Sequence, residues 1–192
     1  MTISTLDKGS ALIIVDLQQG IVCIPTVHPI SKVVDNSIKL KAAFKQKQLP
    51  VFLINVNGKA PGRNQVSQTT QKPVANWAEL IPELDVSSDD KCISKQTWGA
   101  FHNTDLHQQL QDANVTQVVI TGLMTSMGVE STARQAHEHG YNVTLVTDAI
   151  TDTNLDAHNN SCEHIFPKLA ECGTTEALLK LLQLDEHNNS AK

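Results

Sequence analysis

Continuous apolar runs alternate with amphipathic segments along this chain. Apolar runs are typical of strands buried on both faces of a sheet, and they predict strands at residues 11–15, 51–56, 115–121 and 141–147, with a shorter one at 90–94. Apolar residues spaced three to four apart predict helices at about 29–48, from 104 through 110, at 127–139, and near 157–169 and 174–184. Gly140 then ends the third of these helices as its C′ residue.

Strands that alternate with helices predict an α/β fold with a mostly parallel central sheet covered on both faces. Because crossovers between parallel strands are right-handed, the carboxyl ends of the strands should share one edge. Residues 57–73 are rich in Gly, Pro and polar residues, so we expect a long loop there. Without an internal repeat or a clear linker, residues 1–184 are predicted to form one domain, followed by a polar tail at 185–192.

Composition narrows the class of protein. The chain has 192 residues, a net charge of −5 and arginine only at Arg63 and Arg134, which argues against a nucleic acid partner. No export signal and no apolar stretch of the roughly 20 residues that span a bilayer are visible, so no membrane partner is expected. The four cysteines show no CxxC spacing, and we expect free thiols in the cytoplasm.

Two charged residues follow predicted strands. Asp16 comes directly after the first apolar run, and Lys95 closes the short strand at 90–94. In open α/β sheets, ligands bind outside the carboxyl ends of the strands, so we expect both side chains, with Asn57 and Gly122, along that edge. A carboxylate and an ammonium group in one cleft shift each other's pKa, and such shifts are frequent at functional sites.

The segment 118–134, VVITGLMTSMGVESTAR, is predicted to run from a strand through a turn into a helix. A helix N-terminus presents free N–H groups and a positive dipole end, which suit a carboxylate or a developing oxyanion. This segment, together with LIIVDLQ at 12–18, KQTWGAF at 95–101 and TDL at 104–106, resembles the isochorismatase-like hydrolase superfamily. The resemblance covers nearly the whole chain, and TDA at 147–149 and His158 also fit it.

The resemblance implies a Rossmann-like three-layer α/β/α sandwich, a homodimer or homotetramer, and a small-molecule substrate. Most members are amidases with an Asp–Lys–Cys triad, which would place the aspartate at Asp16, the lysine at Lys95 and the cysteine at position 128. This chain has Gly128 there, as do the isochorismatases proper. The family further implies a cis peptide bond between Leu123 and Met124.

Without a thiol, the chemistry implied by the resemblance is hydrolysis of isochorismate or a similar vinyl ether carboxylate, with Asp16 as the general acid. One alternative is hydrolysis of another small amide or carboxylate by water that Asp16 activates. A second alternative is a non-catalytic member that binds a metabolite or a protein. Cys23, seven residues beyond Asp16, is a weaker candidate for a replacement nucleophile.

Further residues are candidates for substrate binding, each with a structural alternative as a loop, core or capping residue. These candidates are Asn57, Arg63, Trp98, Phe101, Met124 and Thr125. The loop at 57–73 has no histidine of the kind that nicotinamidases use for metal, and histidines 137, 139, 158 and 164 are expected to be structural or at the surface. The sequence therefore predicts no metal and no other cofactor.

Overall fold

A computed structural model describes residues 2–65 and 75–189, and the side chains as far as residue 183. Its centre is one sheet of six parallel strands in the order β3-β2-β1-β4-β5-β6. The strands are β1 (Ser10–Val15), β2 (Val51–Val56), β3 (Lys91–Lys95), β4 (Gln117–Gly122), β5 (Asn142–Ile150) and β6 (Glu171–Gly173). The predicted parallel sheet is confirmed.

Helices connect the strands. They are α1 (Gln19–Val22), α2 (Ile30–Gln46), α3 (Leu106–Asp112), α4 (Glu130–Glu138), α5 (Leu155–Asn160) and α6 (Thr175–Asn189). Short 3₁₀ turns form at Pro82–Leu84 and Phe166–Lys168, and π-helical turns at Thr125–Val129 and Ser161–Ile165. No helix of the described part is long and apolar enough to cross a membrane.

Side chains that alternate along β1 divide the core into two layers. Ala11, Ile13 and Val15 pack in a cluster that includes residues of α3 and α4. Leu12 and Ile14 pack on the opposite face, in a cluster that includes residues of α2 and α6. Since every residue of β1 is buried, the apolar run is explained by helices on both faces, and the three-layer α/β/α sandwich is confirmed.

The direction in which the chain adds strands to the sheet reverses between β1 and β4. Chain connections leave β1 toward β2 on one side and leave β4 toward β5 on the other, which opens a crevice at the carboxyl ends of these two strands. Asp16 follows β1, and the turn at Leu123 follows β4. The topology therefore brings the two motifs of the sequence to one crevice.

Several boundaries differ from the prediction. The segment 157–169 is α5 followed by a π-helical and a 3₁₀ turn, and Pro167 lies in the first positions of the 3₁₀ turn, where it has no N–H to continue an α-helix. β6 was not predicted, since three residues are too short to show a periodic pattern. α6 continues to Asn189, through most of the expected tail, because neither Pro nor Gly interrupts residues 185–189. Residues 66–73 of the predicted loop, and 190–192, lie outside the described residues.

Candidate active site

Asp16 lies at the floor of the crevice with an unusual backbone conformation. Its φ is +55°, a left-handed value that aspartate adopts more readily than most residues. Its N–H donates to Ile54 O at 2.9 Å, and its carbonyl oxygen accepts from Gln18 N at 2.9 Å. These bonds turn the chain out of β1 and leave the Asp16 side chain buried, with 4% of its surface exposed.

Lys95 reaches the same floor from the end of β3. Its Nζ donates to Asp16 Oδ2 at 2.8 Å and to Thr97 O at 3.1 Å, and Lys95 is only 2% exposed. The other carboxylate oxygen, Oδ1 of Asp16, is buried and has no hydrogen-bond partner among the described residues. A buried polar atom without a partner is costly, so Oδ1 retains an unused capacity to hold a proton or to accept a hydrogen bond.

The protonation of Asp16 is set by two opposing effects. Burial raises the pKa of Asp16, while the charge and hydrogen bond of Lys95 lower it, and the result is a pKa of about 6. Burial is the larger effect because it removes the carboxylate from water, with only 4% of Asp16 exposed. This carboxyl group can therefore exchange its proton near neutral pH, as an acid or a base in catalysis does.

The turn after β4 closes the crevice from the other side. A Cβ atom on Gly122, whose φ is +111°, would lie 2.0 Å from Val15 O, so only glycine allows β4 to approach the end of β1 this closely. The peptide bond between Leu123 and Met124 is cis, which confirms the expectation. A Cβ atom on Gly128 would lie 2.7 Å from Leu123 O and 2.9 Å from Asp16 Oδ2. The turn thus packs its backbone against the Asp16 carboxylate.

Buried polar side chains anchor this turn from behind. Asp152, which is 1% exposed, accepts hydrogen bonds from Ser126 N and Oγ, both at 2.8 Å. Thr125 Oγ1 lies 2.9 Å from His158 Nδ1, and Thr125 is fully buried. Burial and the nearby His28 ring lower the pKa of His158, which favours the neutral imidazole. Thr125 therefore supports the turn and does not line the crevice.

The crevice is a cavity of about 750 Å³, a size that suits a small molecule. Most of its described wall is apolar, and the apolar side chains that line it are those of Ile21, Val56, Ala60, Pro61, Trp77, Trp98, Met124 and Met127. Lys95 and Asp16 lie at the floor, and Arg63 belongs to a loop at 58–64 that forms one side. Of the predicted binding residues, Arg63, Trp98 and Met124 line this cavity, and Trp98 is 61% exposed.

Two other predicted binding residues lie elsewhere. Asn57 is exposed, and its N–H donates to Lys95 O at 2.9 Å, so it joins the ends of β2 and β3. Phe101 is buried in the core, with its N–H donating to Gln135 Oε1 at 3.0 Å. Phe101 leaves the crevice because the chain after Trp98 turns toward the layer formed by α3 and α4.

Sequence reasoning missed residues at one side of the cavity. Trp77 lines it from a segment that has no strong periodic pattern, and its position depends on contacts with Gln18 and Gly20. Gln18 belongs to the quoted motif LIIVDLQ, which was a usable signal. A weaker signal was the presence of an aromatic residue, Trp77, next to a Gly- and Pro-rich stretch.

No cysteine is among the described residues that line the cavity. Cys23 is exposed, and its Sγ lies 3.5 Å from Gly20 O. Cys172 lies in β6 and Cys162 in the π-helical turn Ser161–Ile165, and burial raises the pKa of each thiol to about 11. Among the described residues, no three His, Cys, Asp or Glu side chains cluster as metal ligands would.

Comparison with known proteins gives consistent matches. Residues 10–177 match the isochorismatase domain family. The chain is 36% identical over 184 residues to the isochorismatase family protein YecD of Escherichia coli O157:H7, covering 91% of this chain and 97% of that protein. An isochorismatase family protein from Burkholderia thailandensis has a similar structure, with a TM-score of 0.89, 35% identity and coverage of 93% and 98% of the two chains. A protein named isochorismatase from Bacillus subtilis (strain 168) is 26% identical, over 91% of this chain and 58% of the relative.

Proposed function

This chain belongs to the isochorismatase family of hydrolases, and on that premise we propose that it hydrolyses isochorismate or a similar vinyl ether carboxylate, with Asp16 as the general acid and without a cysteine nucleophile. One observation carries the proposal. Asp16 lines the cavity, its carboxyl group has a pKa of about 6, and its buried Oδ1 has no partner among the described residues. The more distant relative named isochorismatase supports the choice of substrate.

Cleavage of a vinyl ether begins with a proton. Asp16 Oδ1 gives its proton to the terminal vinyl carbon, and the ether carbon becomes an oxocarbenium ion. Water adds to that cation, the hemiketal collapses, and the products are pyruvate and the ring alcohol. The proton that the added water releases restores the Asp16 carboxyl group. The difficult step therefore needs an acid next to an unsaturated carbon, which a partnerless buried carboxyl oxygen can supply.

The pKa of Asp16 fits this role once substrate is bound. With a pKa of about 6, roughly a tenth of the free enzyme carries the proton at pH 7. A substrate carboxylate near Asp16 raises the pKa of Asp16 by repulsion and increases this fraction. After proton transfer, the Asp16 carboxylate is stabilised by Lys95 Nζ, which lies 2.8 Å from Oδ2. Lys95 therefore holds the acid in place through Oδ2, which leaves Oδ1 without a partner among the described residues.

Arg63 is the proposed partner of a substrate carboxylate. It lines the cavity on the loop at 58–64, and its guanidinium group can bind a carboxylate through two parallel hydrogen bonds. Asp16 is the only acidic residue among the described residues that line the cavity, so an anionic substrate meets little repulsion beyond the catalytic group. The charge of the cavity is thus opposite in sign to the net charge of the chain, −5.

A second candidate function is hydrolysis of another small amide or carboxylate by water that Asp16 activates. The observation that favours it is the same pKa of about 6, which leaves most Asp16 side chains ionised in the free enzyme at pH 7. A thiol mechanism has less support, because no cysteine is among the described residues that line the cavity. A third possibility is a protein that binds a metabolite without turning it over.

One assay separates these functions. Purified protein is incubated with isochorismate, and pyruvate release is followed beside Asp16→Asn and a control, Asp89→Asn, at an exposed turn. We expect release by the wild type and the control, and a loss of about 10²-fold or more in Asp16→Asn. No release by the wild type would contradict the proposal, and turnover of an amide panel would then favour the second candidate. Binding of isochorismate without turnover would favour the third.

A further inference from the structure

Gln18 is a fully buried polar side chain that the proposed chemistry does not use. Its Oε1 accepts from Val56 N at 2.7 Å, and its Nε2 donates to Val56 O and to Trp77 O, both at 3.0 Å. The amide group therefore pairs with the backbone of Val56 as a strand residue would, and it uses its second hydrogen for Trp77. Loss of the Gln18 amide would leave these backbone groups unpaired in the interior, which is unfavourable.

The two residues that Gln18 joins both line the cavity. Val56 is the last residue of β2, and Trp77 belongs to the segment that returns from the long loop. Gln18 itself is two residues beyond Asp16 in the chain. A single side chain thus connects the segment that follows β1 to two residues of the cavity wall.

Gly20 also contacts Trp77. Its N–H also donates to Trp77 O, at 3.0 Å. A Cβ atom on Gly20 would lie 1.8 Å from Trp77 Cδ1 and 2.3 Å from Trp77 Nε1, so the five-membered ring of the indole rests directly on the glycine. Any side chain at position 20 would collide with this ring. Gly20 therefore contacts both the backbone and the indole ring of Trp77 and fixes their position.

We propose that Gln18 is a positioning residue for the substrate cavity, which sets the distance of the Trp77 wall from Asp16 and Lys95. Gln18 acts through Trp77 and Val56 and does not contact the substrate. The effect of Gln18 on substrate rests on the proposed function, whereas its effect on the placement of Trp77 is measurable without any substrate.

The chain offers a matched control. Gln117 is also a buried glutamine, 2% exposed, whose side chain accepts from Asp7 N at 2.6 Å and donates to Thr144 Oγ1 at 2.9 Å. It lies at the amino end of β4, the edge of the sheet opposite to the cavity. Gln117→Met should therefore destabilise the fold as Gln18→Met does, without moving the cavity wall.

The placement of Trp77 is tested by fluorine NMR of protein labelled with 5-fluorotryptophan. The chain has two tryptophans, so two resonances are expected, and Trp98→Phe assigns the remaining one to Trp77. We expect the Trp77 resonance to shift or split in Gln18→Met and to keep its position in Gln117→Met. An unchanged resonance in Gln18→Met, or an equal change in both variants, would overturn the proposal. If Gln18→Met does not fold, the shorter amide of Gln18→Asn provides the same comparison.

Kinetics with isochorismate give the second readout. A positioning role predicts a KM raised about tenfold in Gln18→Met with kcat changed less than about threefold, because the wall binds ground state and transition state alike. Gln117→Met should change neither value. Equal losses of kcat in both variants would indicate only a structural role and would refute the proposal. If the wild type releases no pyruvate but the Trp77 resonance still moves only in Gln18→Met, the proposed function fails and the positioning role stands.

Discussion

Gly128 leaves room for the carboxylate of Asp16, since a Cβ atom at position 128 would lie 2.9 Å from Asp16 Oδ2. The same atom would lie 2.7 Å from Leu123 O, which is backbone and cannot move aside easily. Because residue 128 has no side chain, the ion pair of Asp16 with Lys95 fits beside it in the crevice. This relationship bears on whether a thiol could be restored by a single substitution.

We predict that Gly128→Cys does not produce an amidase. The new side chain would push the Asp16 carboxylate away from Lys95, so we expect pyruvate release from isochorismate to fall about tenfold or more, with no gain of nicotinamide hydrolysis. Gly128→Ala should lose activity similarly, because the collision involves Cβ alone. Both rates are measured beside thermal unfolding, which reports whether the variants are folded. Amide turnover by Gly128→Cys would show that Asp16 can adapt to a thiol.

The pH profile should reveal the titration of Asp16. If protonated Asp16 is the acid, kcat/KM for isochorismate falls as pH rises through the pKa of the free enzyme, about 6. If ionised Asp16 activates water instead, kcat/KM rises through the same range. The sign of the slope between pH 5 and pH 7, about one unit either side of that pKa, therefore separates the two roles of this carboxyl group.

Lys95→Met should move this titration. Lys95 lowers the pKa of Asp16 against the effect of burial, so its removal raises the pKa of Asp16 and shifts the descending limb of kcat/KM to higher pH. Activity should also be lower overall, because the acid loses the partner that holds it. Lys91→Met, an exposed lysine at the other end of β3, is the control and should keep the wild-type profile. If the descending limb of kcat/KM stays at the same pH in Lys95→Met, Asp16 is not the group whose titration produces it.

Asp90 should contribute stability that depends on pH. Lys41 Nζ lies 2.8 Å from Asp90 Oδ2 and also donates to Asp85 O, and this connection fixes the segment before β3. Burial raises the pKa of Asp90, but hydrogen bonds from Lys41 and Ser87 and the charges of Lys41 and Lys45 outweigh it, so the pKa is lowered. The ionised form therefore stabilises the fold above the unfolded-state pKa, roughly 4, and this contribution is lost as pH falls through the lower folded-state pKa.

The measurement is urea unfolding of Asp90→Asn across this pH range. We expect a loss of about 1–3 kcal/mol in the free energy of unfolding at pH 7, and a smaller difference from wild type in acid. Asp89→Asn, at the exposed neighbouring position, should change stability little at either pH. A difference that is independent of pH would mean that the charge of Asp90 is not what stabilises the segment.

Asp152→Asn should loosen the turn that follows β4. Asp152 Oδ2 accepts two hydrogen bonds from Ser126, and Oδ1 accepts from Thr153 N at 2.7 Å, whereas asparagine has only one acceptor oxygen. We expect a loss of about 1–3 kcal/mol in stability and lower turnover of isochorismate, because the turn carries Met127 and Gly128 into the cavity. Asp156→Asn, exposed in α5, is the control. Full activity in Asp152→Asn would show that the turn holds its shape without this anchor.

The parallel sheet and the meeting of Asp16 with Lys95 were predictable from sequence. Both depend on local signals, apolar runs and the charged residues that follow them, and the parallel topology then places strand ends together. The cis peptide bond was predictable only through the family resemblance.

The walls of the cavity were less predictable. Phe101 is close to Lys95 in sequence, yet it packs in the core, because the direction of the chain after Trp98 depends on tertiary contacts with α4. Trp77 is 61 residues beyond Asp16 in sequence, and it is brought to the cavity by contacts with distant residues, among them the buried amide of Gln18 and the bare backbone of Gly20. Such positions depend on pairs of residues distant in sequence, which one sequence does not reveal.

The left-handed backbone at Asp16 affects how a saturation library at this position should be interpreted. With φ at +55°, a residue other than Gly, Asn or Asp carries a conformational cost of about 1–3 kcal/mol before any chemistry is considered. Valine or isoleucine at position 16 would be depleted by a folding screen alone. Asparagine and glycine are thus the informative replacements, because both tolerate this backbone conformation. If they are enriched in a folding screen and depleted in an activity screen, the loss of activity is due to the missing carboxyl group and not to the backbone.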